Sequence, residues 1–238
     1  YYVDDRSFSV PELKILIDAV QAAAFITESK TKELVKKIAD LGGEYKSELL
    51  RNNIICFNTR KHTNEQIYYN VERLETAVRE HKKASFFYFD LNENCEKVFR
   101  KNKQLYVVEP MALVFNEDNY YLMCYSSKYD NICNYRIDRM EQVEVTDEIV
   151  SDKAVISNDD VSFYTKQVFK MYGGTVQKIK LTFDKSLIGA VHDKFGEKIE
   201  MIKINDTLFS VEVTVQNSPT FNGWINQFGD KIKVEIQK

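Results

Sequence analysis

Residues 105–140 read LYVVEPMALVFNEDNYYLMCYSSKYDNICNYRIDRM. Runs rich in valine, tyrosine, isoleucine and leucine at residues 105–115, 120–126 and 132–138 are separated by polar connectors such as Asn116-Glu117-Asp118-Asn119. This is the pattern of short antiparallel strands joined by tight turns. Similar runs at residues 84–90 and 142–146 flank them, so about five strands are predicted. So compact a set suits a small barrel better than a flat sheet, because closure removes edges whose backbone groups lack partners. Pro110 has no N–H to give to a ladder, which predicts a bend or an edge position there.

Toward the C-terminus, residues 151–174 are polar, then mixed, and read as a linker with a short helix near residues 161–172. Ile179, Leu181 and Phe183 then alternate with Lys178, Lys180 and Thr182, the signature of a half-buried strand. Asp184 can cap a helix that ends at Gly196. Two strands follow, the second with Phe209, Val211, Val213 and Val215 on one face. Ser218-Pro219 opens a second helix running to Gly229, with Phe221, Trp224 and Phe228 sharing a face that reads as core. Ile232, Val234 and Ile236 supply the last strand, and the order βαββαβ predicts a ferredoxin-like domain.

Toward the N-terminus the period becomes helical. Ser9 and Glu12 form a capping box ahead of a helix over residues 10–26. Leu13, Leu16, Ile17, Val20 and Ala24 make one stripe, while Ile15, Ala19, Ala22, Ala23 and Ile26 put apolar surface on other faces, so burial on two sides is predicted. A second helix, at residues 30–41, stops at Gly42-Gly43, and a third, at residues 64–82, aligns Ile67, Val71, Leu74 and Val78. The excess apolar surface of the first and third helices predicts a homodimer, since two-fold pairing is the commonest way to cover it. The predicted class is therefore α+β: a helical and dimerisation segment at residues 1–82, an SH3/Sm-like barrel at 83–148, a linker at 149–174 and a ferredoxin-like domain at 175–238. Tyr1-Tyr2-Val3 reads as the end of a strand that begins upstream.

At 238 residues the chain has room for two or three compact units, and its 44% hydrophobic and 29% charged residues are ordinary for a globular protein. A formal net charge of −3 offers no global attraction to nucleic acid or anionic membrane, so any polyanion site must be a local cluster. Cys56, Cys95, Cys124 and Cys133 contain no C-x-x-C pair, and His62, His81 and His192 lie far apart, so neither a metal nor a cofactor is expected. No stretch approaches 18 apolar residues and no export signal is evident, which leads us to expect a cytoplasmic protein without a membrane segment.

Glycine patterns for dinucleotide or P-loop binding are absent, as is a G-x-S-x-G elbow, and no enzymatic activity is expected. Asp90-x-Asn92-x-Asn94 resembles the start of a calcium loop, but Cys95 stands where a glycine must turn and Lys101 where a bidentate glutamate must close the site; it reads as a hairpin connector.

The order of Val108-Glu109-Pro110-Met111-Ala112-Leu113, Tyr120-Tyr121-Leu122 and Tyr135-Arg136-Ile137-Asp138-Arg139-Met140 resembles the WYL domain of bacterial transcriptional regulators. Tyr121 and Leu122 match the family tripeptide, and Tyr120 stands in place of its tryptophan, keeping a ring and losing an indole N–H. Glu12-Leu13 and Asp18-Ala19-Val20 resemble the segment that follows the winged helix in these regulators. Phe169-Lys170-Met171-Tyr172-Gly173-Gly174, Lys194-Phe195-Gly196 and Phe221-x-x-Trp224-Ile225 resemble their C-terminal extension, WCX. The resemblance implies that an N-terminal winged helix, absent here or reduced to its last strand, contacts operator DNA, while the WYL domain senses an effector that is nucleic-acid-like in some members. The extension then contributes to dimerisation. The alternative is a nucleic-acid-binding accessory module with no operator contact.

Strand alternation predicts that Leu122, Cys124, Tyr135 and Ile137 face the barrel core, leaving Tyr121, Met123, Tyr125, Arg136 and Asp138 on the other face. Guanidinium groups fork onto phosphate and tyrosines offer stacking surfaces, a combination suited to a nucleotide or a single strand of nucleic acid. The candidate ligand-binding residues are Tyr120, Tyr121, Tyr125, Arg136, Asp138 and Arg139, with Arg100, Lys101 and Lys103 as a basic rim. The same residues could equally be structural ion pairs and barrel packing.

Overall fold

The computed structural model describes residues 8–43 and 61–236; the strand end expected at Tyr1-Tyr2-Val3, and Cys56, lie outside them. The fold is α+β, with helices ahead of two antiparallel sheets. Helix α1 (Val10–Ala22) starts at the Ser9/Glu12 capping box and packs on α2 (Glu28–Asp40) through Leu13, Ile17, Val35 and Ala39. It ends earlier than its apolar run suggests. The Lys61 ammonium donates to the carbonyls of Val20, Gln21 and Ala23 at 3.2, 2.6 and 2.8 Å, closing the helix with a cation at its negative end. Among the described residues only one side of α1 is covered, not the two expected: Leu13 is 0% exposed, whereas Ile15 is 67% exposed.

The first sheet contains β1 (Lys82–Leu91), β2 (Lys97–Phe99), β3 (Tyr106–Asn116), β4 (Asn119–Ser126), β5 (Asn131–Arg136) and β6 (Met140–Ile149). Five strands were expected; the sixth, β2, is three residues long and too short to show alternation. Strands run in the order β2-β1-β3-β4-β5, and β6 also pairs with β1. Pro110 sits at a register shift between β3 and β4, where the missing N–H costs no ladder bond. Glu117 and Asp118, at φ 42° and 60°, make the two-residue turn from β3 to β4.

The sheet curls until β5 faces β1, although the two share no ladder. Tyr135 meets Phe86 and Tyr88 edge-on, with centroids 5.5 and 5.3 Å apart, and the Arg136 N–H donates to the Tyr88 hydroxyl at 3.2 Å. Helix α3 (Ile67–Arg79) covers the curl, sending Ile67, Leu74 and Ala77 into the core of Phe86, Leu122, Ile137, Met140 and Val143. Burying one such leucine contributes about 1.5–3 kcal/mol. The stripe of Ile67 and Leu74 offered as dimer surface is thus core of this sheet. Val71 is partly buried against the same core.

The outer face of β3 and β4 is covered too. After β6 the chain lays Val150, Ala154, Tyr164, Val168 and Met171 against Met111, Tyr121 and Met123. The helix in this stretch, α4 (Asn158–Gln167), begins where Ser157 and Asp160 form a capping box, a few residues before its expected start. Met123, expected on a free face, is therefore fully buried and Tyr121 is 8% exposed.

The second sheet is built from β7 (Thr175–Asp184), β8 (Ile202–Lys203), β9 (Leu208–Asn217) and β10 (Ile232–Ile236), with helices α5 (Ile188–Phe195) and α6 (Pro219–Asn226) between them. The strand order is β10-β7-β9-β8, antiparallel throughout. Ile179, Leu181, Phe183, Val211 and Val215 face Val191 and Phe221 of the helices. Asp184 caps a 3-10 turn ahead of α5, Gly196 ends α5 at φ 91°, and α6 ends before Gly229. Gly174 cannot carry a side chain, because a Cβ there would lie 2.0 Å from the Asn217 carbonyl oxygen.

Candidate ligand-binding cleft

Arg136 ends β5 directly opposite Tyr121 of β4. The chain then makes one 3-10 turn, Ile137–Arg139, in which Ile137 drops into the core at 0% exposure and turns Asp138 and Arg139 outward. Asp138 takes the Arg136 guanidinium in a fork, Nε to Oδ1 at 3.0 Å and Nη2 to Oδ2 at 2.9 Å. His62 Nδ1 lies 3.3 Å from the second carboxylate oxygen. Burial opposes the charge on Arg136, but the bonds and field of Asp138 outweigh it and hold the guanidinium above its ordinary range.

A second acid organises the other arginines. Asp90, near the end of β1, accepts from Arg100 Nε at 2.6 Å, from Arg100 Nη2 at 3.0 Å and from Arg139 Nη1 at 2.9 Å. The hydrogen bond from Arg100 is the main reason its carboxyl sits below the usual range. Arg100 also lies over the Tyr88 ring, 5.0 Å from the centroid. Burial raises the Tyr88 and Tyr121 phenols, which stay protonated donors near neutral pH. With Asp90 engaged this way, the loop after it is a hairpin turn, in which the Asn92 carboxamide accepts from the N–H groups of Asn94 and Glu96.

These groups open onto one cleft of about 650 Å³. Tyr88, Arg100, Tyr121, Asn134, Arg136 and Arg139 form its floor and one wall. The opposite wall is Lys170, Met171, Tyr172 and Gly173 of the tight turn that Phe169 and Tyr172 close, with Thr220 of α6 behind it. Lys170 and Met171 both take left-handed backbone at φ 50° and 55°, a conformation that costs free energy without glycine. The turn is held from both sides: Asn134 Nδ2 donates to the Met171 carbonyl at 2.9 Å, and Thr220 Oγ1 to the Phe169 carbonyl at 2.8 Å.

Of the residues singled out from sequence, Tyr121, Arg136, Arg139 and Arg100 line this cleft, and Asp138 stands behind Arg136. The others lie elsewhere. Tyr120 packs on Phe25 and Phe115, with centroids 5.2 and 4.9 Å away. Tyr125 donates to Asp130 at 2.6 Å beneath Lys153, in a separate depression. Lys101 covers the Tyr106 ring at 4.4 Å and Lys103 the Phe99 ring at 5.0 Å. Sequence reading missed Tyr88, Asp90 and Asn134, and also Lys170 and Tyr172 of the turn. Asp90 was legible only as a broken calcium-loop pattern, and nothing in a linear reading pairs it with Arg139.

Residues 69–145 match the WYL domain family model, so the stretch from α3 into β6 is a WYL domain. No curated protein matches the chain. Among solved structures the chain is similar to proteasome accessory factor B/C (PafBC) of Arthrobacter aurescens, at 18% identity and a TM-score of 0.34. The alignment covers 96% of this chain and 33% of that one, so the chain spans about a third of the length of that protein. Among the described residues no helix is long and apolar enough to cross a membrane.

Proposed function

Carrying a WYL domain at residues 69–145, this chain is, we propose, the effector-reading and dimerisation region of a bacterial transcriptional regulator, cytoplasmic and without a catalytic step of its own. The effector is a nucleotide or a single strand of nucleic acid, and operator DNA is contacted by an N-terminal domain outside these residues. In this reading the curled sheet is an SH3/Sm-like barrel and the C-terminal sheet a ferredoxin-like extension. The observation that carries the proposal is the convergence of Arg100, Arg136 and Arg139 with Tyr88 and Tyr121 on one cleft.

The electrostatics allow an anion there. Three guanidinium groups face two carboxylates, Asp90 and Asp138, which leaves a local surplus of one positive charge in a chain of net charge −3. Phosphate oxygens would take the Arg136 N–H groups that Asp138 leaves free, and a base would lie against the exposed Tyr172 ring beside Tyr121. The opposite wall is the turn that joins the two cores, so a bound effector bears on how the C-terminal unit sits against the barrel. Regulation then follows as a shift between two arrangements, each with its own effector affinity.

The test is a fluorescence-anisotropy titration of labelled single strands at two salt concentrations. Arg136→Ala is expected to weaken binding by about 1.5–3 kcal/mol, the scale of a charge-assisted hydrogen bond, and Tyr121→Ala by about 1–3 kcal/mol with little dependence on base identity. Affinity falls as salt rises. A control substitution at exposed Lys198 leaves affinity unchanged. Equal affinity of the wild-type protein and a folded Arg136→Ala variant rules the site out. Dimerisation is read separately by light scattering, where a monomer at micromolar concentration removes that part of the proposal.

A further inference from the structure

The geometry points to a second ligand site in the C-terminal unit: we propose that the cleft between α5 and α6 binds a small aryl carboxylate. It measures about 700 Å³, within the range of small-molecule sites. Phe169, Trp224 and Phe228 present rings to it, and Gly223 keeps part of its wall open. Trp224, expected as core, is only partly buried. It meets Phe195 and Phe228 edge-on, with centroids 5.5 and 5.1 Å away, which holds its ring in place while one side lines the cleft.

Lys194 supplies the polar half of the argument. Its ammonium lies 3.9 Å from the centroid of Phe169, and among the described residues no carboxylate, carbonyl or hydroxyl accepts a hydrogen bond from it. The nearby acid is already engaged, since Glu117 pairs with Lys170 at 3.7 Å. Lys61 shows the usual remedy for a lysine that loses water: it donates to three carbonyls. Burial presses both lysine pKa values down, but Lys194, half-buried, has no such carbonyls, only the ring and the weaker attraction of Glu117. A ring face compensates a cation only in part. A carboxylate entering from solution would give the ammonium a hydrogen-bond acceptor while its aryl group covers the partly exposed rings of Trp224 and Phe228. A single unpaired cation, with Glu117 and Asp193 at the rim, favours a monoanion over a phosphate dianion.

This site does not rest on the reading of the arginine cleft. The two clefts share Lys170 and Thr220 in their walls and no guanidinium. Trp224 is the single tryptophan of the chain, so its emission reports on this cleft alone. Phenylacetate titrated into the full chain is expected to change that emission saturably, with 2-phenylethanol and phenethylamine at least about tenfold weaker. Lys194→Gln should weaken phenylacetate by about tenfold or more. Gly223→Met should abolish saturation, because a Cβ at Gly223 meets nothing within 4 Å and the longer side chain grows into the cleft. Arg136→Ala should leave the phenylacetate titration unchanged. Should Lys194→Gln not fold, the Gly223→Met variant and the neutral analogue decide. The proposal is overturned by any of three results: no saturable change with the wild-type protein, equal affinity for the acid and the alcohol, or wild-type affinity in Gly223→Met.

Discussion

In the arginine cleft every guanidinium already has a carboxylate, Arg136 on Asp138 and both Arg100 and Arg139 on Asp90, whereas in the C-terminal cleft Lys194 lies on the face of Phe169 and, among the described residues, donates to no carboxylate. The first site can offer an anion only the N–H groups its acids leave free, so its geometry is preset and the gain from any one contact is modest. In the second the half-buried ammonium makes no hydrogen bond to a described residue, so an anion would add a contact rather than replace one. Counting positive charges would rank the arginine cleft higher; counting those that no described carboxylate binds ranks the other. Between them stands the Phe169–Tyr172 turn, with Phe169 in the C-terminal core and Met171 in the core on the outer face of the curled sheet.

The largest effects test whether that turn joins the two regions or merely touches both. Phe86→Ala in the curled sheet and Phe183→Ala in the C-terminal sheet each empty a fully buried site and should cost about 3–5 kcal/mol in urea unfolding. If the cores are one cooperative unit, either variant lowers a single transition; two separable transitions would mean that the clefts belong to independent bodies. Gly174→Ala, just after the turn, should cost about 1–3 kcal/mol through the clash with the Asn217 carbonyl. A neutral result there would show that the approach of β7 to the end of β9 relaxes easily.

Smaller effects separate paired from unpaired charge. Asp90→Asn should change stability by less than about 1 kcal/mol, since its partners are well exposed. It should nevertheless tighten polyanion binding by releasing Arg100 and Arg139, read in the same anisotropy titration; weaker binding would mean that Asp90 positions the arginines rather than competing for them. The pH dependences should have different windows. Asp90 has a depressed folded pKa, so its contribution is present above the ordinary carboxylate range and is lost as pH falls through the folded value. Lys194 is also depressed, but as a base: the folded state binds fewer protons than the unfolded one, so stability rises as pH climbs from the folded value toward the ordinary lysine range. Lys194→Met should reduce that rise to the part owed to Lys61, whose pKa burial also lowers, and Asp90→Asn should leave it in place, as read from urea midpoints at alkaline pH.

Much of the local structure was legible in the chain. Ser9/Glu12 and Ser218-Pro219 start helices where their chemistry says they should, and the alternation of Ile179, Leu181 and Phe183 reads directly as a strand face. The inward set Leu122, Cys124, Tyr135 and Ile137 follows from period two and was found in the core. The outward set fared differently. Alternation assigns Tyr121 and Met123 to a face but cannot say that residues 150–171 will cover it. Nor can it separate Tyr120, which joins Phe25, from Tyr121, which reaches the cleft.

What sequence alone determined is therefore the set of short-range decisions: caps, turns, strand faces, the α+β class, and the ordered motif of the WYL domain. Each depends on neighbours within a few positions, where backbone geometry leaves few options. Which arginine meets which acid, which tyrosine is exposed and which lysine lacks a partner were decided only by tertiary structure. Asp90 and Arg139 are 49 positions apart, and only the curl of β1 against β5 and its 3-10 turn brings them to 2.9 Å. Charge carries no directional pattern along a strand, so such pairings appear only once the sheet has closed around its aromatic core.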